Sequence, residues 1–159
     1  MTAERQSSEL AQEFQRLYGA RARIFSAPGR VNLIGEHTDY NDGFVMPSAL
    51  GFSTKVAIAA SNDHKLVLRS REFPDQFEFE TTRLPASRTG AWCDYVLGVA
   101  VMLQRSGHPI SGAHLLIDGD VPIGAGLSSS AAIEVASALA FMSLSGTKLP
   151  LVEVAKLCR

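Results

Sequence analysis

Two stretches of this chain combine residue types that could do chemistry. The first is Ala27-Pro28-Gly29-Arg30-Val31-Asn32-Leu33-Ile34-Gly35-Glu36-His37-Thr38-Asp39-Tyr40-Asn41-Asp42-Gly43, which sets an arginine, carboxylates and a histidine between apolar segments. Carboxylates that accept paired hydroxyl hydrogen bonds, together with a histidine that donates one, are what a polyol such as a sugar needs for orientation. Arg30 then supplies a charge that steadies a developing oxyanion or a transferring phosphoryl group. Taken alone, the composition of this run favours solvated loop charges at Glu36 and Asp39 and a surface Arg30. Metal binding through His37, Asp39 and Asp42 is a further reading, but their order matches neither the helical HExxH spacing nor the alternating ligand slots of an EF-hand.

The second stretch is Pro122-Ile123-Gly124-Ala125-Gly126-Leu127-Ser128-Ser129-Ser130-Ala131-Ala132. Small residues let backbone N–H groups approach an anion, and a following helix N-terminus adds its partial positive charge. Three hydroxyls supply further donors or a Mg²⁺ ligand. The plain alternative is a tight turn with serine caps. No lysine follows the glycines, so this is not a Walker P-loop, and Ser129 stands where the dinucleotide fingerprint requires its third glycine.

The elements that must position these stretches can be read from periodicity. Leu10, Phe14, Leu17 and Tyr18 mark an amphipathic helix that Ser7 or Ser8 could start and Gly19 end. Residues 22–26 read as a strand that 27–30 breaks before 31–34 resumes it. Residues 54–60 and 65–70 read as a hairpin joined by Ser61-Asn62-Asp63-His64, with Phe77 and Phe79 alternating with polar residues in a further strand. The period then changes. Val96, Val99, Ala100 and Leu103 mark a helix closing at Gly107, residues 113–117 a strand, and residues 127 to about 144 a long apolar helix stopped by Gly146. Pro150 opens a last helix with Leu151, Val154, Ala155 and Cys158 on one face. That helix meets Arg159 without a cap or a packing partner, so the chain is expected to be the N-terminal portion of something longer.

The two chemical stretches together resemble the GHMP kinases and, within that family, the galactokinases. Residues 29–43, closing with Val45-Met46-Pro47, are similar to the galactokinase signature almost residue for residue. Residues 122–132 resemble the family's ATP-binding motif, with Ala125 where glycine is also common, and 92–98 resemble the helix that precedes it. The resemblance covers nearly the whole chain. It implies a mixed α/β (α+β) fold like domain 2 of ribosomal protein S5, with 1–159 a single GHMP kinase N-terminal domain. The signature would lie over about 21–70 and the ATP-binding region over about 92–159, with the C-terminal domain absent.

The implied activity is ATP-dependent phosphorylation of galactose at its anomeric hydroxyl. Carried onto this sequence, Arg30 would be catalytic and Glu36, His37 and Asp39 would hold the sugar. Gly124, Ala125, Gly126, Leu127, Ser128, Ser129 and Ser130 would wrap the phosphates of ATP. Ser130 would be the Mg²⁺ ligand, with Ser129 the substitute. Glu134, one turn further on, reads either as a site contact or as a helix-dipole partner. The family's further Mg²⁺ ligand, a glutamate, and its catalytic base, an aspartate, would follow beyond Arg159. Asp94, Asp118 and Asp120 do not stand in their places. The isolated chain is therefore expected to be catalytically incomplete. Alternatives are a non-catalytic sugar- or nucleotide-binding fragment, one half of a split enzyme, or a sister GHMP kinase acting on another sugar. The expected partners are galactose and either a complementary C-terminal chain or a second copy meeting it at an exposed cleft.

The whole chain bounds these readings. Its 159 residues are 46% hydrophobic, enough for one domain with its own core. With 15 Lys+Arg against 16 Asp+Glu and no basic cluster, nucleic acid is not an expected partner. No apolar run is long enough for a bilayer, and the polar start lacks a secretory signal, so a cytoplasmic location is expected. Cys93 and Cys158 read as free thiols in apolar surroundings. His64 and His108 read as solvated and His114 as structural. Phe73, Phe77 and Phe79 could line a base pocket, although alternating strand aromatics are more often core.

Overall fold

A computed structural model describes residues 3–35, 41 and 43–158. The elements in chain order are α1 (Ala3–Tyr18), β1 (Arg23–Ile34), β2 (Met46–Ala60), β3 (Lys65–Ser70), β4 (Phe77–Glu80), α2 (Asp94–Arg105), β5 (Ala113–Gly119), α3 (Ser129–Ser145) and α4 (Leu151–Leu157). The strands form one sheet in the order β1-β2-β5-β3-β4, all neighbours antiparallel except the parallel pair β3 and β5. This is a mixed α/β fold. Among the described residues no helix is long and apolar enough to cross a membrane.

Strand alternation assigns each face of the sheet a helix layer. Val56 and Ile58 of β2, with Leu115 and Ile117 of β5, point into the larger core against α2 and α3. Ala57, Ala59 and Leu116 point the other way and meet Leu10 and Phe14 of α1. Leu10 and Phe14 are fully buried, each stabilising the fold by roughly 1.5–3 kcal/mol. Helix α3 lies nearly surrounded, with Ala132, Ala136, Ala138 and Ala140 buried, and its small side chains let it sit close to both α2 and the sheet.

Four expectations change. Helix α1 begins by Ala3, ahead of both serines, and ends on the left-handed Gly19, whose N–H reaches Gln15 O at 2.9 Å. Strand β1 is continuous through Ala27-Pro28-Gly29-Arg30. The missing N–H of Pro28 is tolerated because β1 is an edge strand, and the expected break is reduced to a register shift between Pro28 and Arg30. Strands β2 and β3 are not a hairpin, because β5 lies between them. Residues 61–64 are spread apart at Gly112, where an added Cβ would stand 2.8 Å from Ser61 O and 3.0 Å from His64 N. Ser61 N–H donates to Gly112 O at 2.8 Å, so the turn holds the start of β5 in place of closing on itself. Finally, Val154 is the buried anchor of α4, while Leu151 is 73% exposed and Ala155 is also on the surface.

Candidate functional site

The sheet carries its chemistry at the end where β1 passes the start of α3. At the β1 register shift, Arg30 N–H turns outward and donates to Leu127 O at 3.0 Å. Gly29 is buried there, and a Cβ on it would lie 2.9 Å from Leu127 O and 3.0 Å from Val121 Cγ1. The arginine of the first chemical stretch and the loop of the second are thus joined backbone to backbone. The Arg30 side chain is exposed beside this junction.

The loop itself is built from left-handed residues. Gly124 (φ +73°) and Gly126 (φ +72°) take conformations that glycine adopts at little cost, whereas Ser128 (φ +61°) pays a strain that a side chain usually avoids. Ser128 is the N-cap of α3, yet its side chain makes no capping hydrogen bond, so the plain cap reading fails at that position. No acidic residue lies in the first turn either. The N–H groups of that turn have no carboxylate on their own helix to satisfy them, and the dipole is open to an external anion. Ser129 and Ser130 are half-buried at the helix start, Leu127 and Ser128 likewise, while Gly124, Ala125 and Gly126 are exposed. The predicted phosphate-loop residues therefore stand together.

Beside them opens a cavity of about 120 Å³, lined by Ser129, Ser130 and Ile133 on one side and by Phe73, Trp92 and Tyr95 on another. Phe73 and Trp92 stack with centroids 6.1 Å apart and planes at 11°, and Phe77 meets Trp92 edge-on at 5.8 Å. Of the three aromatics weighed as a base-pocket lining, Phe73 reaches the cavity, while Phe77 and Phe79 pack against the core as β4 side chains. For Phe77 and Phe79 the core reading of alternating strand aromatics holds, and Trp92 and Tyr95 do the lining in their place. Their three-residue spacing at the head of a helix was the available signal, since it puts both on one side. Trp92 Nε1 is buried without a hydrogen-bond partner, an orphaned donor in a wall otherwise suited to a flat, heteroatom-bearing ring.

Glu72 also lines this cavity, and sequence reasoning missed it. Its carboxyl is pushed above the usual range by burial first and then by the negative charges of Asp118 and Asp120. Those two aspartates are engaged elsewhere: Asp118 with Arg71 Nη1 at 3.1 Å, Asp120 with Ser53 N–H at 2.6 Å and Gln6 Nε2 at 3.4 Å. Asp94 accepts from Thr89 N–H (2.9 Å), Thr89 Oγ1 (2.7 Å) and Gly90 N–H (2.9 Å), locking the loop before α2. Burial alone would raise its pKa, but these donors outweigh it and hold the carboxyl below its ordinary range.

Glu134 faces away from the loop. It lines a separate groove of about 600 Å³ with Arg88, Tyr95 and Arg105, and burial raises its pKa. It lies beyond the first turn of α3, so it is not the helix-dipole partner of the loop. Its charge, after burial, helps push the Cys158 thiol up to about 11. Cys93 is free and buried, and its thiol is also raised by burial. Glu36, His37, Asp39 and Asp42 lie outside the described residues. Among the described residues no group of three or more His, Cys, Asp or Glu side chains could hold a metal ion.

Comparison with known proteins agrees with this geometry. A model of the galactokinase galactose-binding signature matches residues 12–60, and one of the GHMP kinases N terminal domain matches residues 94–159. Together they span well over half of the chain, which belongs to the GHMP kinase family. A galactokinase of Roseiflexus sp. (strain RS-1) is 47% identical over 139 residues, 87% of this chain and 35% of that relative. The crystal structure of Lactococcus lactis galactokinase complexed with galactose superposes with a TM-score of 0.90 at 35% identity, covering 96% of this chain and 41% of that one. Within the family, then, the chain aligns with the N-terminal part of galactokinases. Methanococcus jannaschii mevalonate kinase, at 21% identity and a TM-score of 0.76 over 89% of this chain and 45% of that one, shares the fold.

Proposed function

We propose that this chain forms the nucleotide- and sugar-binding part of a kinase that moves the γ-phosphoryl group of ATP onto the anomeric hydroxyl of galactose, giving galactose 1-phosphate and ADP. The observation that carries this reading is the 3.0 Å bond from Arg30 N–H to Leu127 O, which places the signature strand against the phosphate loop. Phosphoryl transfer depends on positioning and charge stabilisation, so the two binding stretches have to be neighbours.

In this reading the N–H groups of 124–130 and the open end of α3 hold the phosphates, and Phe73, Trp92 and Tyr95 flank the base. Arg30, beside the loop, stabilises charge on the transferring group. Glu36, His37 and Asp39 receive the sugar hydroxyls. Mg²⁺ takes oxygen ligands and keeps several from phosphate and water, so a single hydroxyl from this chain suits it. Ser130, half-buried at the head of α3, is that ligand, with Ser129 the substitute. When bound, the ion neutralises phosphate charge.

The anomeric proton needs an acceptor. Asp94, Asp118 and Asp120 are each held by other partners. The 159-residue chain alone is accordingly proposed to bind both ligands without turning them over.

A thermal-shift titration tests this, because a ligand that binds only the folded state raises its apparent stability. Stabilisation by Mg·ATP and by galactose, but not by glucose, is the expected result, with no galactose-dependent ADP in a coupled assay. Absence of any galactose response would overturn the sugar assignment. Galactose-dependent ADP release would overturn the absence of turnover.

A further inference from the structure

Resting on the assignment of 124–130 as the phosphate cradle, we infer that Gly29 is a positioning residue for the nucleotide: its bare backbone lets β1 clamp the Leu127–Ser128 peptide so that the Ser128 N–H faces the bound phosphates. Ser128 is held at φ +61° with no side-chain hydrogen bond of its own at the cap. Strain of that kind persists where the surroundings over-determine it. Here the fixing contact comes from outside the loop, since Leu127 O accepts the Arg30 N–H at 3.0 Å.

In a trans peptide the C=O and the N–H of one unit point in opposite directions. Holding the Leu127 oxygen against β1 therefore turns the Ser128 N–H away from β1, onto the open side of the loop. β1 is an edge strand, so the outward Arg30 N–H has no neighbouring strand to satisfy it and the loop carbonyl fills that place. The approach is close enough to exclude any side chain at position 29, where a Cβ would stand 2.9 Å from Leu127 O. Gly29 is not in the left-handed region, so alanine there introduces a clash without backbone strain. Gly29→Ala thus probes the close approach of β1 to Leu127 O and to the buried Val121 side chain, which lie together beneath the loop.

The experiment is calorimetric titration of the wild-type chain, G29A, G112A and G29A/S128G, each with Mg·ATP and separately with galactose. G29A is expected to weaken Mg·ATP by roughly tenfold while galactose changes by less than about threefold. G112A carries a matching clash, 2.8 Å from Ser61 O, at the start of β5, whereas the loop follows that strand's other end. It should lower thermal stability and leave Mg·ATP affinity within about threefold of wild type. S128G removes the left-handed penalty, so the double variant should recover part of the lost nucleotide affinity.

Should G29A fail to fold, amide hydrogen exchange of the wild type decides. The Arg30 amide should be protected, and Mg·ATP should slow Arg30 and Ser128 more than galactose does. Wild-type nucleotide affinity in G29A, equal losses in G29A and G112A, or an unprotected Arg30 amide would each overturn the inference. A wild-type chain that binds no nucleotide while its Arg30 amide is protected would instead overturn the cradle assignment, and this inference with it.

Discussion

The phosphate loop and the outer end of the signature strand lie next to each other and are supported in different ways. The loop is bounded by buried Val121 on one side and buried Ala132 on the other, and its shape comes from backbone conformation. Beyond the register shift, β1 loses that support: Leu33 is 61% exposed and Ile34 68%, and Met46, paired with Ile34, is 53% exposed. The proposed nucleotide side is therefore the one that rests on the core. The proposed sugar side follows this strand end in sequence, where the described residues have little core support.

Breaking the shared foundation should produce the largest effect. Ile58 is fully buried in the larger core between the sheet and α2 and α3, and Ile58→Ala is expected to cost about 2–5 kcal/mol, measured by urea unfolding, with both ligand responses lost as the fold fails. Trp92→Ala tests the nucleotide side alone. Losing an aromatic wall should weaken Mg·ATP by about 1–3 kcal/mol while leaving galactose affinity unchanged, by titration with each ligand. An equal effect on both ligands would show that the two sides are not separable.

A smaller effect should come from charge in the cavity. The Glu72 carboxyl is raised when folded, by burial and then by Asp118 and Asp120. Its protonated form is therefore the one the fold favours. The stability linked to that proton is fully present below the unfolded value of 4.5 and is lost as pH rises through the higher folded value. Glu72→Gln should accordingly raise the melting temperature at pH near 7 and change it little at about pH 4. A shift of equal size at both pH values would show that the charge is not responsible.

The smallest effect separates the two regions most sharply. Ile34→Ser, at the exposed strand end, should change stability by no more than about 0.5 kcal/mol. A cost above about 1 kcal/mol would mean that the strand end is packed as firmly as the loop.

Much of this protein was legible in its residues. The spacing of Leu10 and Phe14, of Val96, Val99 and Leu103, and of the apolar run after Ser128 placed three helices, because a 3.6-residue period reflects burial on one face. Gly124 and Gly126 marked a tight loop ahead of α3, because glycine takes left-handed angles at little cost. Trp92 and Tyr95 were harder to place, since which aromatic borders a cavity depends on neighbours far along the chain. Glu72 gave no local signal, as its altered carboxyl arises from burial and from Asp118 and Asp120, more than forty positions away.

The sequence by itself determined the elements, the two chemical stretches and the family resemblance, because periodicity and backbone tolerance are local properties. Tertiary structure decided how those parts meet. It inserted β5 between β2 and β3, where local alternation suggested a hairpin, because pairing with both neighbours buries an apolar central strand that a two-stranded hairpin would leave exposed. It also carried β1 unbroken past Pro28 to Leu127, a junction between residues nearly one hundred positions apart. Contacts of that range are fixed only when the core closes, and here they set the distance between the signature strand and the phosphate loop.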